Sequence, residues 1–387
     1  MSGTNPNHVT TGLWPGILLP ERAAEYAPQL AALPADDWDW LVAESQRHSL
    51  APLLYTNIQH AAGHLPAAGH AILQLRAIYR HATLVAMQRE AELRRVLDAM
   101  ASNGIRPTLF KGAALAYSVY PTPACRSMGD VDLWVTHTEM SAAVAALEQL
   151  EYRVRENPQR PHALTQYTDG EIQMMPTRSG QGLVELHWGV FPGEWLARSA
   201  TIDRAAVRQR LRTAVVAAHE VSVMAPEDAL IQVAVHVAIG HQMSQSALRS
   251  LVDIALLAED GLDWDVVANR CQEWRVAAVV GMVLSIAYEL LGSTALEAPA
   301  ARLGPSGLRQ RVLRHYVTPE AVLAQLQLSS TTSRFAYLLC LTDRPSDSLK
   351  LFARSVWPES EWLHARYGSA RLSDRMGHAV NALLGRI

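Results

Sequence analysis

The sequence predicts an α+β protein, a small mixed β-sheet set between N- and C-terminal helical regions. Three observations carry this. Helical periodicity fills residues 21–103, strand-like alternation appears at 130–135 and 183–188, and helical patterning returns after about residue 205. The expected layout is a loose arm over 1–20, a helical region over 21–103, an α/β core over 104–204 and a second helical region over 205–387.

Composition agrees with that class. With 387 residues the chain is long enough for two or three domains or subdomains. Hydrophobic residues at 49% against 18% charged ones support a packed core rather than long disorder. A net charge of -3 gives no global basic field for a long nucleic acid, so any polyanion site must be local. Cys125, Cys271 and Cys340 are scattered and odd in number. They suggest neither a disulfide framework nor zinc spacing, and a reducing cytoplasm is the expected compartment. The first residues lack the pattern of a signal peptide. The longest apolar run, 276–288, falls short of the roughly 18 residues of a membrane span, so no membrane attachment is expected.

Residues 1–20 hold Pro, Gly, Asn and Thr without periodicity, hence the expected arm. Leu93, Val96, Leu97 and Met100 then mark one face of a helix that Asn103-Gly104 stops. Thr108, Leu109 and Phe110 form a short apolar strand before Lys111-Gly112, and 113–120 reads as a helix ended by Pro121. Over 130–135, Val131, Leu133 and Val135 alternate with polar positions, as in a half-buried strand. Thr138 is placed to cap a helix carrying Met140, Val144 and Leu147. Residues 171–175 and 183–188 read as an antiparallel hairpin around Ser179-Gly180-Gln181-Gly182. Farther on, Pro226-Glu227-Asp228 suits a helix start, and 292–307 reads as a connection between helical units.

The chemistry concentrates in the strands. Asp130 and Asp132, two apart, project from the same strand face while Val131 and Leu133 bury the other. Two carboxylates side by side repel, and a hard cation such as magnesium or manganese relieves the repulsion while leaving positions for phosphate oxygens. Glu185 supplies a third carboxylate with His187 on the same face; if its strand lies beside that of Asp130, the three acids meet. Such a set suits metal-assisted phosphoryl chemistry. Lys111-Gly112 falls between strand and helix, where a glycine admits close approach and the helix start offers N–H groups to a phosphate. Arg126 suits either a triphosphate contact or a structural ion pair with Asp130 or Asp132. Arg153, Arg155, Arg160 and His162 form a basic stretch best read as a solvated strand or loop. His236 and His241, five apart, diverge by about 140° on an α-helix and are not expected to share a metal.

The stretch LFKGAALAYSVYPTPACRSMGDVDLWV resembles the KG…R…DxDLLV signature of the uncharacterised nucleotidyltransferase family, a divergent branch of the DNA polymerase beta-type superfamily. VELHWGV is similar to its third-acid strand. APEDALIQVAVHVAIGHQMSQSALRSLVDIALL is similar to its Pro-initiated helix pair, with His236, His241 and Asp253 in matching places. FARSVWPESEWLHARYG looks like its C-terminal segment, so the likeness covers about 80–368. The resemblance implies Asp130, Asp132 and Glu185 as ligands of Mg2+ or Mn2+, with Lys111, Gly112, Arg126 and His187 on the nucleotide side. It implies an NTP donor such as ATP and an unidentified acceptor: a peptide, small molecule or saccharide in a biosynthetic pathway. The superfamily's usual Gly-Ser is Gly112-Ala113 here, so a serine contact to phosphate is missing. Two alternatives are a DxD transferase using a nucleotide sugar and a non-catalytic nucleotide- or peptide-binding accessory protein. Against the first, helical sequence precedes the DxD. Against the second, a binder needs no third carboxylate.

Overall fold

The structure, a computed structural model, describes residues 8–61, 68–155, 161, 163–164, 170–191 and 193–383. Seven strands form one mixed sheet: β1 (Thr108–Leu109), β2 (Asp130–Trp134), β3 (Tyr152–Val154), β4 (Glu171–Pro176), β5 (Leu183–His187), β6 (Arg212–Val216) and β7 (His219–Val223). Their spatial order is β3-β4-β5-β2-β1-β7-β6. The alternation at 130–135 makes β2, and the expected hairpin is the antiparallel pair β4–β5. The sheet is mixed because β2 runs parallel to β5 and β1 parallel to β7, while the remaining pairs are antiparallel.

The sheet extends past the expected end of the α/β core. β6 and β7 lie beyond residue 205, where helix was expected, and β7 covers the free edge of β1. Ala214, Ala217 and Ala218 lend this hairpin a helical look, but Val216 and Val221 join the sheet's core. The basic stretch is divided: Arg153 lies on β3 and Arg155 just after it, whereas Arg160 and His162 fall outside the described residues.

The sheet's two faces have different partners. Val131, Leu133, Ile172, Met174, Val184 and Leu186 pack on Leu93, Val96, Leu97 and Met100 of the long Gly69–Ser102 helix and on Ala143 and Leu147 of the Met140–Gln149 helix. The turn that leads into that second helix is closed by Thr136 rather than Thr138. Glu139 Oε2 accepts from the Thr136 N–H at 2.8 Å, and the Thr136 hydroxyl accepts from the Glu139 N–H at 3.2 Å. The opposite face carries Asp132, Glu185 and His187 toward the helical part of the molecule.

That helical part has one core, shared by N- and C-terminal segments. Trp38, Leu41 and Leu53 are buried in the same cluster as Leu251, Val279 and Leu284. The Ala277–Leu291 helix, the most apolar run, is a core helix, and among the described residues no helix is long and apolar enough to cross a membrane. The expectation of a loose arm fails over the described part of 1–20. Leu13, Trp14, Ile17, Leu18 and Leu19 are buried in this core, and Asn57 Nδ2 donates to the Ile17 carbonyl at 3.2 Å. Their apolar surface outweighs the turn-forming residues around them. Similarly, 292–307 is more than a connection, since Thr294–Leu303 forms a helix.

A buried carboxylate pins the site-bearing strand β5. Glu92, on the long helix, accepts from the Gly182 N–H through Oε1 at 2.9 Å and Oε2 at 3.0 Å, from Arg89 at 2.8 Å, and from the Tyr152 hydroxyl. Glu92→Ala strands two of these donors in a buried place. It is expected to lower unfolding free energy by about 2–3 kcal/mol, measured by urea denaturation. A loss below about 0.5 kcal/mol, the scale of an ordinary surface substitution, would show that the hairpin is held by packing alone.

Candidate active site

The register of the central strands builds the site. Parallel pairing of β2 and β5 sets Asp132 opposite Glu185, and antiparallel pairing of β4 and β5 sets Glu171 opposite His187 and Gln173 opposite Glu185. Side chains opposite one another share a face. Asp132, Glu185 and His187 thus offer ligand atoms all within 4.8 Å of one another, and all three are buried. Asp130 stands on the same face, one pleat away, at the exposed start of β2.

Asp132 is the hub. Its Oδ1 accepts from Lys111 Nζ at 2.6 Å and lies 2.9 Å from His187 Nε2. Lys111 Nζ is also 4.0 Å from Glu185 Oε2, and His187 Nε2 is 3.5 Å from it. His187 Nδ1 lies 3.3 Å from Glu171 Oε2, and Gln173 Nε2 donates to Glu185 Oε1 at 2.8 Å. Phe110 closes the floor, with its ring 5.0 Å from that of His187 and 5.2 Å from the Lys111 ammonium.

These contacts decide protonation. Burial pushes the Asp132 carboxyl up, but the charge of Lys111 and the His187 hydrogen bond outweigh it and hold the pKa well below the usual range. Burial and Lys111 push His187 down, yet its bonds to Asp132 and Glu185 raise it overall. Burial lowers Lys111 too, and the Asp132 and Glu185 charges raise it in net. Asp130 differs: partial desolvation and the charges of Asp132 and Glu185 push its carboxyl up.

Lys111 is therefore placed differently from a free phosphate ligand. It opens the Lys111–Ser118 helix with a left-handed φ of 52° and turns its ammonium onto the acids. Gly112 is required by close approach: a Cβ there would sit 2.7 Å from Arg126 Nη1. Arg126 does not pair with Asp130 or Asp132. Its fork grips Asp253, Nε at 3.0 Å from Oδ1 and Nη2 at 2.8 Å from Oδ2, while Tyr120 donates to the same carboxylate at 2.6 Å. Asp253 lies 127 residues on, in the Ala247–Glu259 helix, so the pair ties the entry to β2 to the helical layer.

The histidines come together through a backbone device. His236–Gly240 is a π-turn, in which the His241 N–H reaches the His236 carbonyl at 3.2 Å. Residues five apart then meet rather than diverge, the two rings lying edge to face with centroids 4.7 Å apart. Burial and the Lys111 charge hold both below their ordinary pKa, so both are neutral at pH 7. Glu171 and Gln173 join the site although neither is among the residues expected there. The signal was present, because both fall on the alternate positions of β4 that face Glu185 and His187. A cavity of about 350 Å3 lies against Arg126, Ser127 and Met128, the segment leading into β2, rather than over the acids themselves.

This chain belongs to the uncharacterised nucleotidyltransferase family, whose sequence model matches residues 34–292. Among solved structures, it is similar to an antigenic nucleotidyltransferase-like protein from Paracoccidioides brasiliensis. That likeness spans 54% of this chain and 93% of the other at 18% identity, with a TM-score of 0.35, too low to argue from. Curated proteins include no match.

The Arg126–Asp253 pair is buried, so removing one partner strands the other. Asp253→Ala is expected to cost about 3–5 kcal/mol in stability, read from chemical denaturation. The double variant Arg126→Met/Asp253→Leu should recover most of that loss; a double variant as unstable as Asp253→Ala would assign the cost to packing instead.

Proposed function

We propose that this protein is a divalent-metal-dependent nucleotidyltransferase that moves a nucleotidyl group from an NTP to an acceptor hydroxyl. One observation carries the reading: Asp132, Glu185 and His187 converge within 4.8 Å beside Asp130, with the Lys111 ammonium seated against their negative charge. Family membership supports the class of reaction.

The donor set fits Mg2+ or Mn2+. Two carboxylates supply hard oxygens, and a third, Asp130, stands at the open end. The fold already keeps a cation there in Lys111, which supports a role for neutralising charge at the cluster. A bound divalent ion would polarise the donor's α-phosphate and ease the departure of pyrophosphate. The chain's own residues do the rest. His187 holds Asp132 in orientation, and Gln173 does the same for Glu185. With a divalent ion held by Asp132 and Glu185, Lys111 would be free to meet phosphate oxygens. The acceptor oxygen bonds to the α-phosphorus, the bond to the β-phosphate oxygen breaks, and the acceptor proton passes to a site carboxylate. A nucleotide-sugar donor has less support, because Ala35–Arg47, Ala51–Ala61 and Gly69–Ser102 ahead of the sheet are helices.

Two substitutions test this. The Asp130 carboxyl holds its proton to higher pH than in the unfolded chain, so its ionisation costs stability as pH rises past the ordinary Asp range near about 4. Asp130→Asn removes that cost. Its melting temperature without ligand should be unchanged or slightly raised, stabilisation by magnesium plus NTP should shrink, and turnover should fall by about 100-fold or more. A much lower melting temperature without ligand would make Asp130 structural. Lys111→Ala leaves Asp132 and Glu185 without their counter-ion. It should melt lower in metal-free buffer and recover when magnesium is added, whereas a deficit untouched by magnesium would separate Lys111 from the metal site.

A further inference from the structure

We propose that Arg249 is the residue that receives the terminal phosphate of the donor, and so sets the preference for a triphosphate. The inference rests on the nucleotidyl-transfer reading and adds to it a specificity residue.

Arg249 lies in the first turn of the Ala247–Glu259 helix and is half-buried. Two arginines meet at one carbonyl: Arg126 Nη1 donates to Ser127 O at 3.0 Å and Arg249 Nη1 to the same oxygen at 3.3 Å. The nearby carboxylate, Asp253, is spent on both arms of Arg126 and on Tyr120. Arg249 is left with a buried Nε for which no acceptor lies in reach among the described residues. A guanidinium cannot shed its proton to escape this, so the unmet donor is a standing cost that an incoming anion removes.

Its position suits the tail of an NTP. Arg249 reaches the carbonyl of Ser127, three residues ahead of Asp130 at the open end of the acid cluster, and its helix follows the loop that begins at His241. Phosphates held at one end by Lys111 and the acids would run past Asp130 toward it. The first turn of a 13-residue helix adds N–H groups of favourable sign. The backbone around Arg249 is unusual in the same sense: Gln242, Met243 and Ser246 all take left-handed φ values, of 51°, 55° and 65°, shaping the loop between His241 and this helix.

Inorganic tripolyphosphate and pyrophosphate, each with magnesium, read this without knowledge of the base or acceptor. Calorimetric titration of the full chain should show tripolyphosphate binding about tenfold or more tighter than pyrophosphate. Arg249→Ala should lose that margin by weakening tripolyphosphate alone. Arg249→Gln, which retains a donor for the Ser127 carbonyl, should lose it too and guards against a folding defect. A purely structural role would weaken both ligands alike and leave the ratio intact, which overturns the inference. So does a parent protein that binds the two equally. If the parent binds NTPs with magnesium while Arg249→Gln keeps the parental ratio, only this inference falls. If the parent binds no polyphosphate or NTP with magnesium, the nucleotidyl-transfer reading falls with it.

Discussion

The site depends on one shared atom, Asp132 Oδ1, which meets Lys111 Nζ at 2.6 Å and His187 Nε2 at 2.9 Å. A buried carboxylate with one partner is poorly compensated; with an ammonium and an imidazole on the same oxygen it stays ionised. The rest of the fold serves to bring these three groups together. Lys111 comes from the turn after β1, Asp132 from β2 and His187 from β5, and β2 lies between β1 and β5 in the sheet. A one-residue slip of β5 would turn Glu185 and His187 to the opposite face, into the apolar layer of Leu133 and Leu186. The Glu92 bonds to Gly182, just ahead of β5, resist that slip.

A second buried ion pair fixes the sheet to the helices. Arg126 and Asp253 join the segment before β2 to the helix that follows the π-turn, and Gly112 makes room for the guanidinium. The segment that carries His236, His241 and Arg249 is thus tied to the entry of the acid-bearing strand. A half-buried guanidinium with an unsatisfied Nε is a poor arrangement for stability alone. Such violations of local packing rules collect where function requires them.

Much of this site was legible in the sequence because strands encode their faces with a period of two. Val131 and Leu133 against Asp130 and Asp132, and Val184 and Leu186 against Glu185 and His187, name both the strands and the face that carries the acids. What periodicity does not encode is pairing at a distance. Arg126 offered Asp130 and Asp132 as nearby partners, and found Asp253 across 127 residues. The His236–His241 geometry failed for another reason: 100° per residue assumes an α-helix, and the chain makes a π-turn there. The β6–β7 hairpin was hidden by its alanines, and the N-terminal segment by Pro15 and Gly16, although Trp14, Ile17 and Leu18 are apolar enough to seek the core.

The central claim is that Lys111 keeps the place of a divalent cation on Asp132 and gives it up when donor and metal bind. Crystals grown with Mn2+ and a non-hydrolysable NTP, measured at a wavelength where manganese scatters anomalously, test this directly. The account predicts an anomalous peak between Asp132 and Glu185, with Lys111 Nζ turned from Asp132 onto phosphate oxygens. A nucleotide bound with Lys111 still on Asp132 and no manganese against Asp132 or Glu185 would contradict it.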